Sequence, residues 1–192
     1  MGSVAGETMT AKLLILDLDE TLIHSAFEPL DRAADFHVGP YHTYMRPGAR
    51  EFIAFCRTHF RVAVWTSSTE GYAQEIVGEL FGSDHRLEFF WTRERCTEAL
   101  NVERESWAST PHWEKDLAKL RDEGFALEQV LAVDDSARAH RRNIDNLIPV
   151  LPFIGGIPDR ELSRLARYLP VLKDVADVRT IDKRAWRTQL TD

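Results

Sequence analysis

Apolar residues along this chain gather into short unbroken runs, separated by longer stretches with helical spacing. Residues 12–16 (KLLIL), 61–65 (RVAVW) and 129–133 (QVLAV) lack the alternation of a half-exposed strand and read as strands buried on both faces. Residues 147–153 (LIPVLPF) form a weaker fourth run, whose prolines suit strand ends. In 46–60, Pro47 falls at a first helical turn, and Phe52, Phe55, Cys56 and His59 recur at helical spacing. Residues 68–81 repeat Tyr72, Ile76, Val77 and Leu80 and stop at Gly82. Residues 112–124 put Leu117 and Leu120 on one helical face and end at Gly124. Asp159 stands as an N-cap ahead of Leu162, Leu165 and Leu169. Strand and helix patterns in this alternation predict an α/β fold around a mainly parallel sheet.

The residues directly after the first three strands change the picture. The first strand runs into Asp17, Asp19, Glu20 and Thr21, the second into Thr66, Ser67 and Ser68, the third into Asp134, Asp135 and Ser136. Any one of these is ordinary turn or N-cap chemistry. All three lie at the same end of a predicted buried strand, which is where open parallel sheets bind ligands. Asp17, Asp19, Asp134 and Asp135 then share one edge, and their repulsion calls for protonation or a hard cation. Magnesium suits an all-oxygen donor set.

Such an edge suits phosphoryl transfer. Asp17 is placed to attack phosphorus, and Asp19 to act as general acid and then base. Thr66, with Ser67 beside it, offers hydroxyls to the phosphate. The cation for the phosphate comes from Lys115, Lys119 or Arg121, and the first-turn position of Lys115 favours it.

Composition narrows the class further. The chain has 192 residues with 44% hydrophobic content, enough for one domain with a core. Its net charge of -7 argues against a nucleic-acid backbone as ligand. No apolar run approaches the roughly 20 residues that span a bilayer. Residues 1–11 read as a disordered lead without the pattern of a signal peptide. Cys56 and Cys96 lack zinc-like spacing and read as free thiols, so a cytoplasmic location is expected.

The motifs LDLDETLIHS, RPGAREFI, VWTSS, EKDLAKL and VDDS, in that order, together with the later PFIGGIPDRELSRLARYLPVL, resemble the haloacid dehalogenase superfamily. Within it they are similar to the small C-terminal-domain (NLI-interacting factor-like) phosphatases, in a bacterial-type form. The resemblance implies a Rossmann-like three-layer sandwich across 12–192, with a small insert at about 83–112 and no large cap domain. It implies Asp17 as nucleophile, Asp19 as acid and base, and Thr66 and Lys115 as phosphate holders. Magnesium would sit on Asp17, the backbone carbonyl of Asp19 and Asp135, with Asp134 in support. Thr21 would be structural around the nucleophile loop.

The implied activity is magnesium-dependent hydrolysis of phosphomonoesters on a phosphorylated protein or peptide. Alternatives are a phosphatase of a small metabolite or nucleic-acid end, or a silent binding module. Residues 25–45 are expected as a loop with little room for strands, and Phe27 and Trp107 as edges of an open substrate groove. His24 reads as a satisfied histidine. Arg138, His140, Arg141 and Arg142 read as a solvated helix face, and Trp91 as core.

Overall fold

The computed structural model describes residues 11–83, 86–100 and 111–190; Trp107 and residues 1–10 lie outside them. The strands are β1 (Leu13–Leu16), β2 (Ile23–Ala26), β3 (Phe36–Val38), β4 (Tyr41–Met45), β5 (Arg61–Trp65), β6 (Phe90–Trp91), β7 (Thr97–Leu100), β8 (Pro111–Glu114), β9 (Val130–Asp134) and β10 (Leu147–Pro149). The helices are α1 (Ala49–His59), α2 (Glu70–Phe81) and α3 (Glu161–Lys173).

A five-stranded parallel sheet, ordered β10-β9-β1-β5-β6, forms the centre. Its inner strands read as unbroken apolar runs because both faces are covered. Leu14, Leu16, Val62, Val64, Leu131 and Val133 face a core built with α1, α2 and α3. Leu13, Ile15, Ala63, Trp65, Val130 and Ala132 face the opposite way. Each such large side chain, fully buried, contributes about 1.5–3 kcal/mol.

The layer on that second face differs from expectation. Residues 112–124 are not a helix: β8 ends at Glu114, and a single 3₁₀ turn spans Leu117–Arg121. Leu117 and Leu120 eclipse one another at the three-residue spacing of that turn and pack beneath Ile15 and Trp65. Two apolar positions three apart fit either helix type. Pairing of Glu114 with Thr97 and of Trp113 with Glu98 takes the first residues into a strand instead.

Residues 25–45 also depart from the expected loop. They contribute to a second sheet, antiparallel, in the order β2-β4-β3. Val38 opposes Tyr41, so Gly39 and Pro40 make a two-residue hairpin, and Gly39 supplies the positive φ of 53° that such a turn requires. An outward histidine, His37, and a buried polar residue, Thr43, hide the strand pattern in the sequence.

Smaller differences concern ends. The N-cap of α3 is Arg160, yet the Asp159 carboxylate still accepts the Glu161 amide at 2.9 Å. The fourth strand stops at Pro149, and Phe153 lies beyond it as a buried anchor. Among the described residues, no helix is long and apolar enough to cross a membrane.

Candidate active site

β1 delivers Asp17 to the carboxyl edge of the sheet, where its amide still donates to Val133 O at 3.1 Å. Beyond it the chain turns sharply. The amides of Thr21, Leu22 and Ile23 all donate to Leu18 O, and Glu20 takes a left-handed φ of 57°. This loop is fixed from outside. Phe153 N donates to Glu20 O at 2.7 Å, and Arg46 Nη1 donates to Thr21 O at 3.1 Å. Buried Thr21 tethers the third strand's end, its Oγ1 accepting from Asp135 N at 3.2 Å.

Lys115 reaches Asp17 from the link between β8 and the 3₁₀ turn, rather than from a first helical turn. Its Nζ donates to Asp17 Oδ1 at 2.5 Å and Asp134 Oδ2 at 2.6 Å, and the residue is 3% exposed. Its amide donates to Ala139 O at 2.8 Å, which pins the link. Lys119 points away and donates to Arg95 O, and Arg121 is exposed. Of the three cations, Lys115 is the one that lies against Asp17 and Asp134.

Asp134 has both oxygens engaged. Oδ2 meets Lys115 and His140 Nε2, the latter at 3.0 Å, and Oδ1 accepts Ser136 N at 2.8 Å. His140 is thus a correction to the solvated-face reading: it is 1% exposed. Its neighbours are not on a helix. Arg141 and Arg142 grip buried Glu114, and Arg138 meets His112 at 2.9 Å. A histidine inside a basic run carries no signal that it alone turns inward.

Asp17, Asp134 and Asp135 bring carboxylate oxygens within 4.8 Å of one another. Burial, then Asp134, holds the Asp17 carboxyl well above its ordinary range despite Lys115. Burial, Asp134 and Glu20 push Asp135 up to about 6. Asp134 behaves oppositely: burial would raise it, but Lys115 and His140 outweigh burial and hold it low. The donors are all oxygen, and burial beside Asp134 keeps ionised Asp17 and Asp135 costly even with Lys115 against Asp17. Both features fit magnesium.

Asp19 faces a cleft of about 580 Å³ that also touches Ser67, Ser68, Tyr72 and Arg93. Its Oδ2 accepts Ser68 Oγ at 2.6 Å and its Oδ1 accepts the Tyr72 hydroxyl at 2.7 Å. Buried Thr66 accepts Ser68 N at 3.1 Å, a bond that does not use its hydroxyl proton. The Ser67 carbonyl accepts Arg93 Nε at 2.7 Å, and Arg93 stacks 5.4 Å from the Trp113 ring. Phe27 is 63% exposed and sits 4.4 Å from Tyr41, whose ring is 5.7 Å from Tyr72. Phe27 is thus two rings from Asp19. His24 is satisfied by Glu20 at 3.0 Å, and Trp91 is buried. The sequence gives no sign of Arg93 or of the Tyr72 hydroxyl as site groups. Arg93 comes after a two-residue strand without periodicity, and Tyr72 shares the apolar spacing of α2.

Residues 12–179 match the family model described as NLI interacting factor-like phosphatase. The chain belongs to that family. Among its relatives, the CTD small phosphatase-like protein 2 of Dictyostelium discoideum is 30% identical over 86% of this chain. The carboxy-terminal domain RNA polymerase II polypeptide A small phosphatase 1 of Homo sapiens is 29% identical over 88% of it. The chain spans only 28% of the first and 62% of the second. A crystal structure of an uncharacterized Listeria monocytogenes serotype 4b protein is 17% identical, with a TM-score of 0.52 over 88% of this chain and 99% of that one. The fold of this NLI interacting factor-like domain is α/β, of the haloacid dehalogenase type.

Proposed function

We propose that this domain is a magnesium-dependent phosphomonoesterase that acts on phosphoserine, phosphothreonine or phosphotyrosine of a protein. The observation that carries the reading is the Asp17–Lys115 contact of 2.5 Å at the sheet edge, with Asp19 facing an open cleft one residue beyond Leu18.

In the first step an Asp17 oxygen bonds to phosphorus while the bond from phosphorus to the ester oxygen breaks. Asp19 gives its proton to that leaving oxygen. In the second step Asp19 takes a proton from water, the water oxygen bonds to phosphorus, and the acyl phosphate bond to Asp17 breaks. Lys115 compensates charge on the phosphoryl oxygens throughout, and the Thr66 hydroxyl donates to one of them. Ser67 borders the same cleft. Asp17, the Asp19 backbone carbonyl and Asp135 would hold magnesium, which would supply charge neutralisation at the phosphate. The engaged oxygens of Asp134 favour Asp135 as the direct ligand, with Asp134 orienting Lys115.

The protein substrate is favoured by the open cleft and by the names of the phosphatase relatives. Specificity constants for a phosphopeptide, free phosphoserine and a sugar phosphate test it. Truncating the peptide is expected to cost about tenfold, because remote contacts then no longer contribute. Equal efficiency on sugar phosphates or nucleotides would replace the protein substrate with a metabolite.

A further inference from the structure

Asp19 is held from other elements rather than by its own strand. Ser68, after β5, takes one carboxylate oxygen, and Tyr72, on α2, takes the other. Hydroxyls continue behind Tyr72. Its oxygen lies 2.7 Å from Ser25 Oγ on β2, which lies 2.9 Å from Thr43 Oγ1 on β4. Ser25 and Thr43 are direct partners across the antiparallel ladder, and Thr43 is fully buried.

Each hydroxyl has one proton to give. If Tyr72 donates to the Asp19 carboxylate, its oxygen is left to accept from Ser25. The Ser25 oxygen is then left to accept from Thr43. Donation runs in one direction from the second sheet to the acid–base residue, and each link fixes the rotation of the next. Proton transfer requires heavy atoms within about 2.6–3.2 Å, so the swing of the Asp19 carboxyl about its own axis matters. A carboxylate held at both oxygens cannot swing. Removing the Tyr72 link frees one oxygen, while the charge, the Asp17 nucleophile and the Lys115 contact stay as they are.

We infer that Tyr72, backed by Ser25 and Thr43, is a positioning residue that orients the Asp19 carboxyl toward the leaving oxygen of the substrate. The second sheet then has a task in the chemistry besides walling the cleft. The inference rests on the phosphatase reading above.

The experiment compares kcat and KM on a phosphoserine peptide, whose leaving group is poor, and para-nitrophenyl phosphate, whose leaving group needs little protonation. Tyr72→Phe is expected to lower kcat on the phosphopeptide about tenfold and on the aryl phosphate less than about threefold. Thr43→Val lies behind the cleft wall and removes only the far donor. It is expected to shift the ratio of the two kcat values in the same direction by about threefold, and Thr43→Ser to restore it. In an Asp19→Asn background, Tyr72→Phe is expected to leave that ratio unchanged. Equal losses on both substrates, or a change confined to KM, would make Tyr72 a groove wall and overturn the inference. A Thr43→Val ratio equal to wild type, in a variant with native melting, would overturn the role of the second sheet. Wild-type protein inert toward both phosphates would overturn the phosphatase reading itself, and with it any proton-transfer role. Activity retained in Asp17→Asn would refute the mechanism while leaving the Tyr72 comparison readable.

Discussion

Arg46 and Asp159, 113 residues apart, meet in a two-pronged ion pair at 3.0 and 2.9 Å beneath the loop that follows Asp17. Arg46 is 1% exposed, lies 5.5 Å from the Phe153 ring and spends its remaining Nη1 donor on Thr21 O. The arginine before Pro47 and the aspartate before α3 are thus one clamp on the backbone just after Asp17. Arg46→Met leaves a buried carbonyl and a carboxylate without their partner. It is expected to cost about 3 kcal/mol in a urea melt. A loss below about 1 kcal/mol would show the clamp to be dispensable.

Asp17→Asn keeps the side-chain shape and removes the attacking charge. Turnover of para-nitrophenyl phosphate is expected to fall to background while the thermal melt stays cooperative. Retention of a tenth or more of the wild-type rate, on the order of a kcal/mol of barrier, argues against covalent catalysis by Asp17.

Lys115→Met tests the choice among cations. It strands Asp17 and Asp134 in a buried site without their shared partner. Both activity and about 3–5 kcal/mol of stability are expected to go. Lys119→Met, which removes a surface donor to Arg95 O, is expected to change stability by less than about 0.5 kcal/mol. Similar unfolding midpoints for the two variants would contradict the assignment.

Metal and pH are linked through Asp135. Chelation is expected to abolish turnover, magnesium to restore it and calcium to restore it poorly, since its larger and looser coordination misplaces the phosphate. Asp135 takes up a proton at about 6 in the fold, above the unfolded value of 3.8, so magnesium affinity is expected to weaken as pH falls through 6. Without metal the sign for stability is the reverse. The contribution of Asp135 is fully present below 3.8 and is lost as pH rises through about 6. Asp135→Asn is expected to flatten that loss in chelator, measured as the unfolding midpoint from pH 4 to 7. A profile unchanged by the substitution would place the titration elsewhere.

Legibility in the sequence followed burial. β1, β5 and β9 were readable because strands covered on both faces keep unbroken apolar runs. The oxygens of Asp17, Asp19, Thr66, Asp134 and Asp135 were readable because they come directly after those runs. The second sheet was not, because β3 has three residues and an outward histidine, and its hairpin depends on one glycine at positive φ. The 3₁₀ turn was not, because two leucines three apart do not distinguish it from an α-helix. His140 and the Tyr72 hydroxyl were hidden for a further reason. Which way a polar side chain turns depends on its partners in the fold, Asp134 for one and Asp19 for the other.

The two faces of the central sheet are unequally armoured. One is covered by three α-helices together with the short 3₁₀ turns at Val178–Thr180 and Trp186–Gln189; among the described residues the other is covered by the 3₁₀ turns at Leu117–Arg121 and Leu127–Gln129 and by no α-helix. Turns of that kind have poorer hydrogen-bond geometry and open at lower free energy than helices docked on a core. Amide hydrogens of residues 115–129 are therefore expected to exchange with solvent ahead of those in α1 and α3. Lys115 rides on the thin face and Asp17 follows the strand at the centre of the sheet, so heating is expected to part Lys115 from Asp17 before the sheet unfolds. Loss of turnover on heating is therefore expected at a lower temperature than the midpoint of the global melt, and coincidence of the two would argue against early opening of this segment.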